Sequence, residues 1–112
     1  MTVTFPEGFI WGVAAASHQI EGGNWNNDWW EFEHREGTHV HEPSGDATDS
    51  YHRYGDDIAI TRDLGFGSYR FSIEWSRIEP EDGEFSIAAL DHYRRMRAFL
   101  ERNGMAHRLA EV

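Results

Sequence analysis

Cysteine is absent from this 112-residue chain, which excludes both disulfides and thiolate metal sites. Basic residues are scarce. Lys and Arg number 10 against 20 Asp and Glu, and the formal net charge is -10. That balance disfavours nucleic acid, whose phosphates need Lys and Arg, and leaves no basic stripe for a membrane surface. It favours solubility and a neutral or cationic ligand. No apolar run approaches the length of a membrane span. The opening MTVTFPEGF carries neither a basic n-region nor a long apolar h-region, so no signal peptide is expected and the expected location is cytoplasmic. By length the chain suits one small domain with a modest core.

Aromatic residues, by contrast, are plentiful. Trp11, Trp25, Trp29, Trp30 and Trp75 occupy the first three quarters of the chain. Aromatics are commonest as core, but Trp25, Trp29 and Trp30 sit among Asn24, Asn26, Asn27 and Asp28, an unusual setting for a buried segment. The stretch FIWGVAAASHQIEGG (9–23) passes from aromatic and apolar residues through small ones to His-Gln-x-Glu. Residues 9 to 20 read as a strand with a buried, small-residue end. A long irregular stretch follows, punctuated by Gly, Asn, Pro and Ser, within which WWEFEH supplies a short helical turn. A loop of that length in a compact domain is usually functional or disordered.

The spacing of Tyr51, Tyr54 and Ile58, widened by Ile60 and Leu64, predicts a helix from about Asp49 to Leu64, stopped by Gly65. In GSYRFSIEW, Tyr69, Phe71, Ile73 and Trp75 alternate with polar residues, a strand pattern. Ser86 is a good N-cap for a second helix running to about Asn103, with Leu90, Tyr93, Met96 and Leu100 inward and Gly104 as its cap. MAHRLAEV, at the end, has no β-branched run and no clear period. Strand, helix, strand, helix gives an α/β class with parallel strands. Two such strands have open edges and too little cover.

These residues carry a family resemblance. FPEGFIWGVAAASHQIEGG resembles the N-terminal signature of glycoside hydrolase family 1, the β-glucosidase family. DSYHRYGDDIAITRDLGFGSYRFSIEWSRIEPEDGEFS resembles that family's next segment. The likeness runs from about residue 5 to 105, and the tail 106–112 departs from it. The resemblance implies the first two βα units of an eight-stranded TIM barrel, incomplete within residues 1–112, since such barrels take roughly 250 residues. It further implies retaining hydrolysis of β-linked glucosides or related glycosides, with a small carbohydrate as substrate and neither metal nor organic cofactor.

By the same resemblance Gln19 matches the glutamine that hydrogen-bonds sugar hydroxyls, and a side-chain amide, with both donors and acceptors, suits that task. Arg70 matches the arginine that keeps the nucleophilic glutamate ionised and oriented. On position alone either would be an ordinary structural residue. Glu21, Glu74 and His18 read as structural or loop-supporting. Trp25, Trp29 and Trp30 either stack on sugars or plug the loop. His39, His41 and Glu42 invite a metal, but a metal needs three or four held ligands, and a solvated loop is the expected role.

Retention requires two carboxylates about 5 to 5.5 Å apart. The family supplies them from Asn-Glu-Pro and Thr-Glu-Asn-Gly motifs, and neither occurs in these 112 residues. The expectation is therefore a β-glucosidase-like chain that is inactive by itself. The alternatives are a non-catalytic carbohydrate-binding remnant and a split-barrel subunit completed by the missing remainder of the barrel.

Overall fold

In the computed structural model, which describes residues 2–111, the chain opens its sheet with β1, Gly12–Ala14. The strand is much shorter than the 9–20 stretch predicted. Small residues are needed here for a local reason: a Cβ on Gly12 would lie 2.7 Å from the Ser68 carbonyl oxygen on the neighbouring strand. Beyond Ala14 the chain leaves the sheet for α1, Ser17–Ile20, and then α2, Asp28–His34. Helix α3 (Ser50–Asp63), strand β2 (Ser68–Ile73), helices α4 (Trp75–Ile78) and α5 (Ile87–Arg102), and strand β3 (Ala106–Glu111) complete the order.

The three strands are parallel in the order β1-β2-β3, with Gly12 level with Ser68, and Ser68 level with Ala106. The third strand corrects the reading of the tail. Ala-His-Arg-Leu-Ala-Glu has little strand preference of its own, but β2 offers it a full ladder, and pairing context outweighs intrinsic preference. Among the described residues the sheet therefore has two crossover connections and three strands rather than two.

Both crossovers return to the sheet through the same turn. At the end of α3, Gly65 N–H donates to the Arg62 carbonyl at 2.9 Å and Phe66 N–H to Thr61 at 3.3 Å. At the end of α5, Gly104 N–H donates to Glu101 and Met105 N–H to Leu100, each at 3.0 Å. This pair of bonds is the Schellman arrangement, which needs a left-handed residue at the glycine; φ is +92° at Gly65 and +69° at Gly104. After α5 the turn is reinforced by its apolar contact, since Leu100 and Met105 are both buried.

Tyr69 and Phe71, on one face of β2, pack with Ile58 of α3, Ile78 of α4 and Ala89, Tyr93, Met96 and Leu100 of α5. Ser86 caps α5 as predicted, its hydroxyl accepting from Ala89 N–H at 3.1 Å. Helix α3 holds Ile58 fully buried, but Ile60 and Leu64 are 60% and 70% exposed. Neither widens the stripe: at about 100° per residue Ile60 lies about 200° round the axis from Ile58 and Leu64, at the C-cap, about 240°. Among the described residues no helix is long and apolar enough to cross a membrane.

Candidate functional site

The motif SHQIEGG is a turn of helix onto which the long loop closes at several points. Thr48 Oγ1 donates to the Ile20 carbonyl at 2.9 Å, Tyr51 N–H to Glu21 at 3.2 Å, and Gly23 N–H to Gly45 at 2.8 Å. Arg77, from α4, donates to the Gly22 carbonyl at 2.6 Å and lies over the Tyr51 ring. Both ends of the loop are thereby pinned to one small patch beyond β1.

Two buried carboxylates anchor that patch. Glu21 accepts from the Tyr93 hydroxyl at 2.6 Å and from Asn24 Nδ2 at 3.1 Å, with Arg77 Nε 3.5 Å away. Burial raises the Glu21 carboxyl above its ordinary range, although its Tyr93, Asn24 and Arg77 partners pull the other way. Burial, reinforced by the Glu21 charge, pushes the Tyr93 phenol well above its ordinary value. Glu74 accepts from Ser17 Oγ at 2.7 Å, Ser76 Oγ at 2.9 Å and Asn27 Nδ2 at 3.4 Å. It thus ties β1's exit, the loop and α4 together, in keeping with a loop-supporting role.

Asn27 also caps α2, its Oδ1 accepting from Trp30 N–H at 2.8 Å. Its Nδ2 lies 3.0 Å from His18 Nδ1, and His18 Nε2 lies 3.1 Å from Glu33. Glu33 in turn accepts from Ser44 Oγ at 2.7 Å. Burial alone would raise the Glu33 carboxyl, but the Ser44 and His18 hydrogen bonds outweigh it and the net shift is downward.

Gln19 is exposed, five residues past the end of β1 and within α1, not at a strand end. Its side chain makes no hydrogen bond among the described residues. Together with Ala16, His18, Trp29, Val40 and Glu42 it lines one cavity. Arg70 is exposed at the middle of β2, on the face opposite Tyr69 and Phe71, and its carbonyl accepts from Ala15 N–H at 3.0 Å. Among the described residues its guanidinium has no ion-pair partner.

The three loop tryptophans separate. Trp29 lies beside the His18 ring, centroids 6.4 Å apart, at the Gln19 cavity. Trp30 packs on His34 at 4.4 Å. Trp25, 67% exposed, borders a different groove with Tyr51, Arg77 and Pro80. Only Trp29 is thus brought to Gln19. His39 and His41 are exposed, and among the described residues no group of three His, Asp or Glu side chains is placed to hold a metal ion. Sequence reasoning missed Asn27 and Glu33 as organisers of this region. The one local signal is Asn27 standing just before DWWEFEH, where an N-cap belongs.

Comparison with known proteins accounts for this arrangement. The family model for glycosyl hydrolase family 1 matches residues 1–109, reaching into β3 and beyond the 5–105 span read from motifs. Beta-glucosidase A of Acetivibrio thermocellus is 44% identical over 110 residues, covering 92% of this chain and 25% of that protein. The crystal structure of the beta-glycosidase BGL167 superposes with a TM-score of 0.88 at 57% identity, over 94% of this chain and 25% of that one. A beta-glycosidase from Pyrococcus horikoshii gives 0.86 at 41% identity, over 97% and 25%. The chain spans about a quarter of the length of these relatives. Its parallel strands and crossover helices are part of an α/β barrel. On the family match and these likenesses together, the chain belongs to glycosyl hydrolase family 1.

Proposed function

We propose that the chain provides the first strands and one wall of the sugar site of a retaining β-glucosidase-like enzyme acting on β-linked glucosides or related glycosides. The observation that carries this reading is Gln19: an exposed amide without a partner among the described residues, set beside Trp29 in one cavity. An amide offers a donor and an acceptor to adjacent hydroxyls, and an indole face suits the C–H face of a pyranose. Arg70, likewise unpaired, serves the nucleophilic carboxylate. Its fixed charge keeps such a group ionised and its planar fork orients it.

Both reacting carboxylates lie outside these 112 residues, since neither motif that carries them occurs here. The 112 residues alone therefore bind sugar weakly and do not cleave it. The reaction needs no metal or organic cofactor, because two carboxylates suffice for acid/base and nucleophilic steps. A chromogenic β-glucoside incubated with the purified chain should yield no product, and steady hydrolysis would refute this assignment. Cellobiose titration followed by tryptophan fluorescence should show binding that Gln19→Ala weakens about tenfold, corresponding to about 1.4 kcal/mol of lost hydrogen bonding. Equal binding by the variant would remove Gln19 from the site.

A further inference from the structure

We infer that Asn27 is a positioning residue that holds His18 in its Nε2–H tautomer, so that the ring presents a fixed wall with no nitrogen free for a ligand. The orientation of the Asn27 amide is set by two groups that can act in only one sense. The Trp30 backbone N–H, 2.8 Å from Oδ1, is a donor and demands the amide oxygen. The Glu74 carboxylate, 3.4 Å from Nδ2, is an acceptor and demands the amide nitrogen. With the amide fixed in this way, its second N–H points to His18 Nδ1 at 3.0 Å. A donor there requires a lone pair on Nδ1, so the ring proton sits on Nε2. The opposite side agrees, because Glu33, 3.1 Å from Nε2, can only accept.

Four side chains from three parts of the chain thus form one line, Glu74 after β2, Asn27 before α2, His18 in α1 and Glu33 in α2, in which Asn27 donates to both its neighbours and His18 donates to Glu33. Glu33 continues it to Ser44 at 2.7 Å, at the far end of the loop. Every donor and acceptor in the line is used in one sense only, and reversing any member breaks its neighbours. The His18 side chain, 13% exposed, lies next to Gln19 and beside Trp29. With both nitrogens engaged it offers neither a proton nor a lone pair to a sugar hydroxyl, and hydroxyl recognition at this wall falls to Gln19. That last consequence rests on the sugar-site reading above; the tautomer rests on geometry alone.

The test is long-range proton–nitrogen correlation NMR on the full, nitrogen-15-labelled chain at neutral pH, with His18→Gln used to assign the ring signals. The wild type should show one protonated nitrogen, Nε2, and one bare nitrogen, Nδ1. Glu33→Gln should keep that pattern, because Asn27 still donates to Nδ1. Asn27→Asp replaces the donor by an acceptor, and the bare-nitrogen signal should disappear as Nδ1 gains a proton. An Nδ1–H ring in the wild type would overturn the inference. So would loss of the Nε2–H pattern in Glu33→Gln, which would assign control to Glu33. Should Asn27→Asp not fold, the wild-type and Glu33→Gln spectra still decide. Cellobiose titration of the same samples separates the two claims: absence of binding sinks the sugar-site reading and leaves the tautomer standing.

Discussion

Buried ionisable side chains concentrate where α3, α5 and the loop meet, and their titration couples to folding. His92 of α5 stacks on Tyr51 with centroids 3.6 Å apart and meets the Tyr54 ring edge-on at 5.3 Å. Burial, with the positive charges of Arg95 and Arg77 and nearby His52, pushes its imidazole down from 6.5 to about 4. A base with a depressed folded-state value binds fewer protons folded than unfolded between those limits. Stability is therefore unaffected by this group above about pH 6.5 and falls as pH drops towards 4, by roughly 3 kcal/mol in all. Glu21 has the opposite sign, since its raised carboxyl takes up its proton more readily in the folded chain and favours folding as pH falls. Urea unfolding of wild type and His92→Phe should give similar stabilities near neutral pH and diverge in favour of the variant towards about pH 4.5. Parallel pH curves would contradict a buried neutral His92. None of this was legible locally. In sequence, Glu21 and Tyr93 lie 72 residues apart and Ser17 and Glu74 lie 57 apart, and a single chain read in order shows no pairing at such distances. Gln19 was legible as a sugar-facing candidate through its motif, whereas its placement in a helical turn was not.

At the scale of elements, what could be read was what each segment decides for itself. Helix α5 carries its own stripe, its Ser86 cap and its Gly104 stop, and the predicted and observed bounds agree within a residue or so. Strand β2 carries its own alternation as far as Ile73, whereas Trp75, the last position of that pattern, starts α4 and is 48% exposed. Strand β1 is shorter than its apolar and small-residue run suggests, because small residues in the motif serve a close strand contact at Gly12 and then a helical turn. Strand β3 is not visible in the sequence because its partner, not its composition, makes it a strand. The Schellman turn is what joins legible to illegible: Gly104 signals where α5 ends, and the geometry of that ending aims Met105 into the core and Ala106 alongside β2, its N–H donating at 2.9 Å to the carbonyl of Gly67 just before that strand. Gly104→Ala meets nothing within 4 Å of the new Cβ, so its cost is purely the left-handed backbone. Chemical denaturation should show a loss of about 1 to 2 kcal/mol, and Gly104→Asn a smaller one, since Asn tolerates that conformation. An unchanged midpoint for Gly104→Ala would mean the turn relaxes and β3 is not held by it.

As a whole molecule the chain is an open slab. Its extents are 51 × 35 × 21 Å and its radius of gyration 16.3 Å, against about 13 Å for a compact domain of this length. Among the described residues the sheet has a single central strand, so β1 and β3 each keep one unpaired edge, and unpaired edges template association. Apolar surface adds to this. Phe5, Phe9 and Trp11 pack on one another with centroids 4.6 to 4.9 Å apart, yet each stays nearly half exposed. Against association stands the net charge of -10, whose repulsion acts over a screening length of about 10 Å at 0.1 M salt and about 3 Å at 1 M. These opposing terms predict a direction. In sedimentation velocity the chain should be smallest at low ionic strength and shift to larger, heterogeneous species as salt is raised. A dye that reports exposed apolar surface should bind it even at low salt, and its thermal transition should be broad. Lys substitutions at Phe5 and Phe9 should suppress the salt-driven species if the aromatic trio nucleates it, and leave it if the strand edges do. A monomer at every salt concentration with a sharp, cooperative melt would show that three strands and their helices suffice for a closed fold.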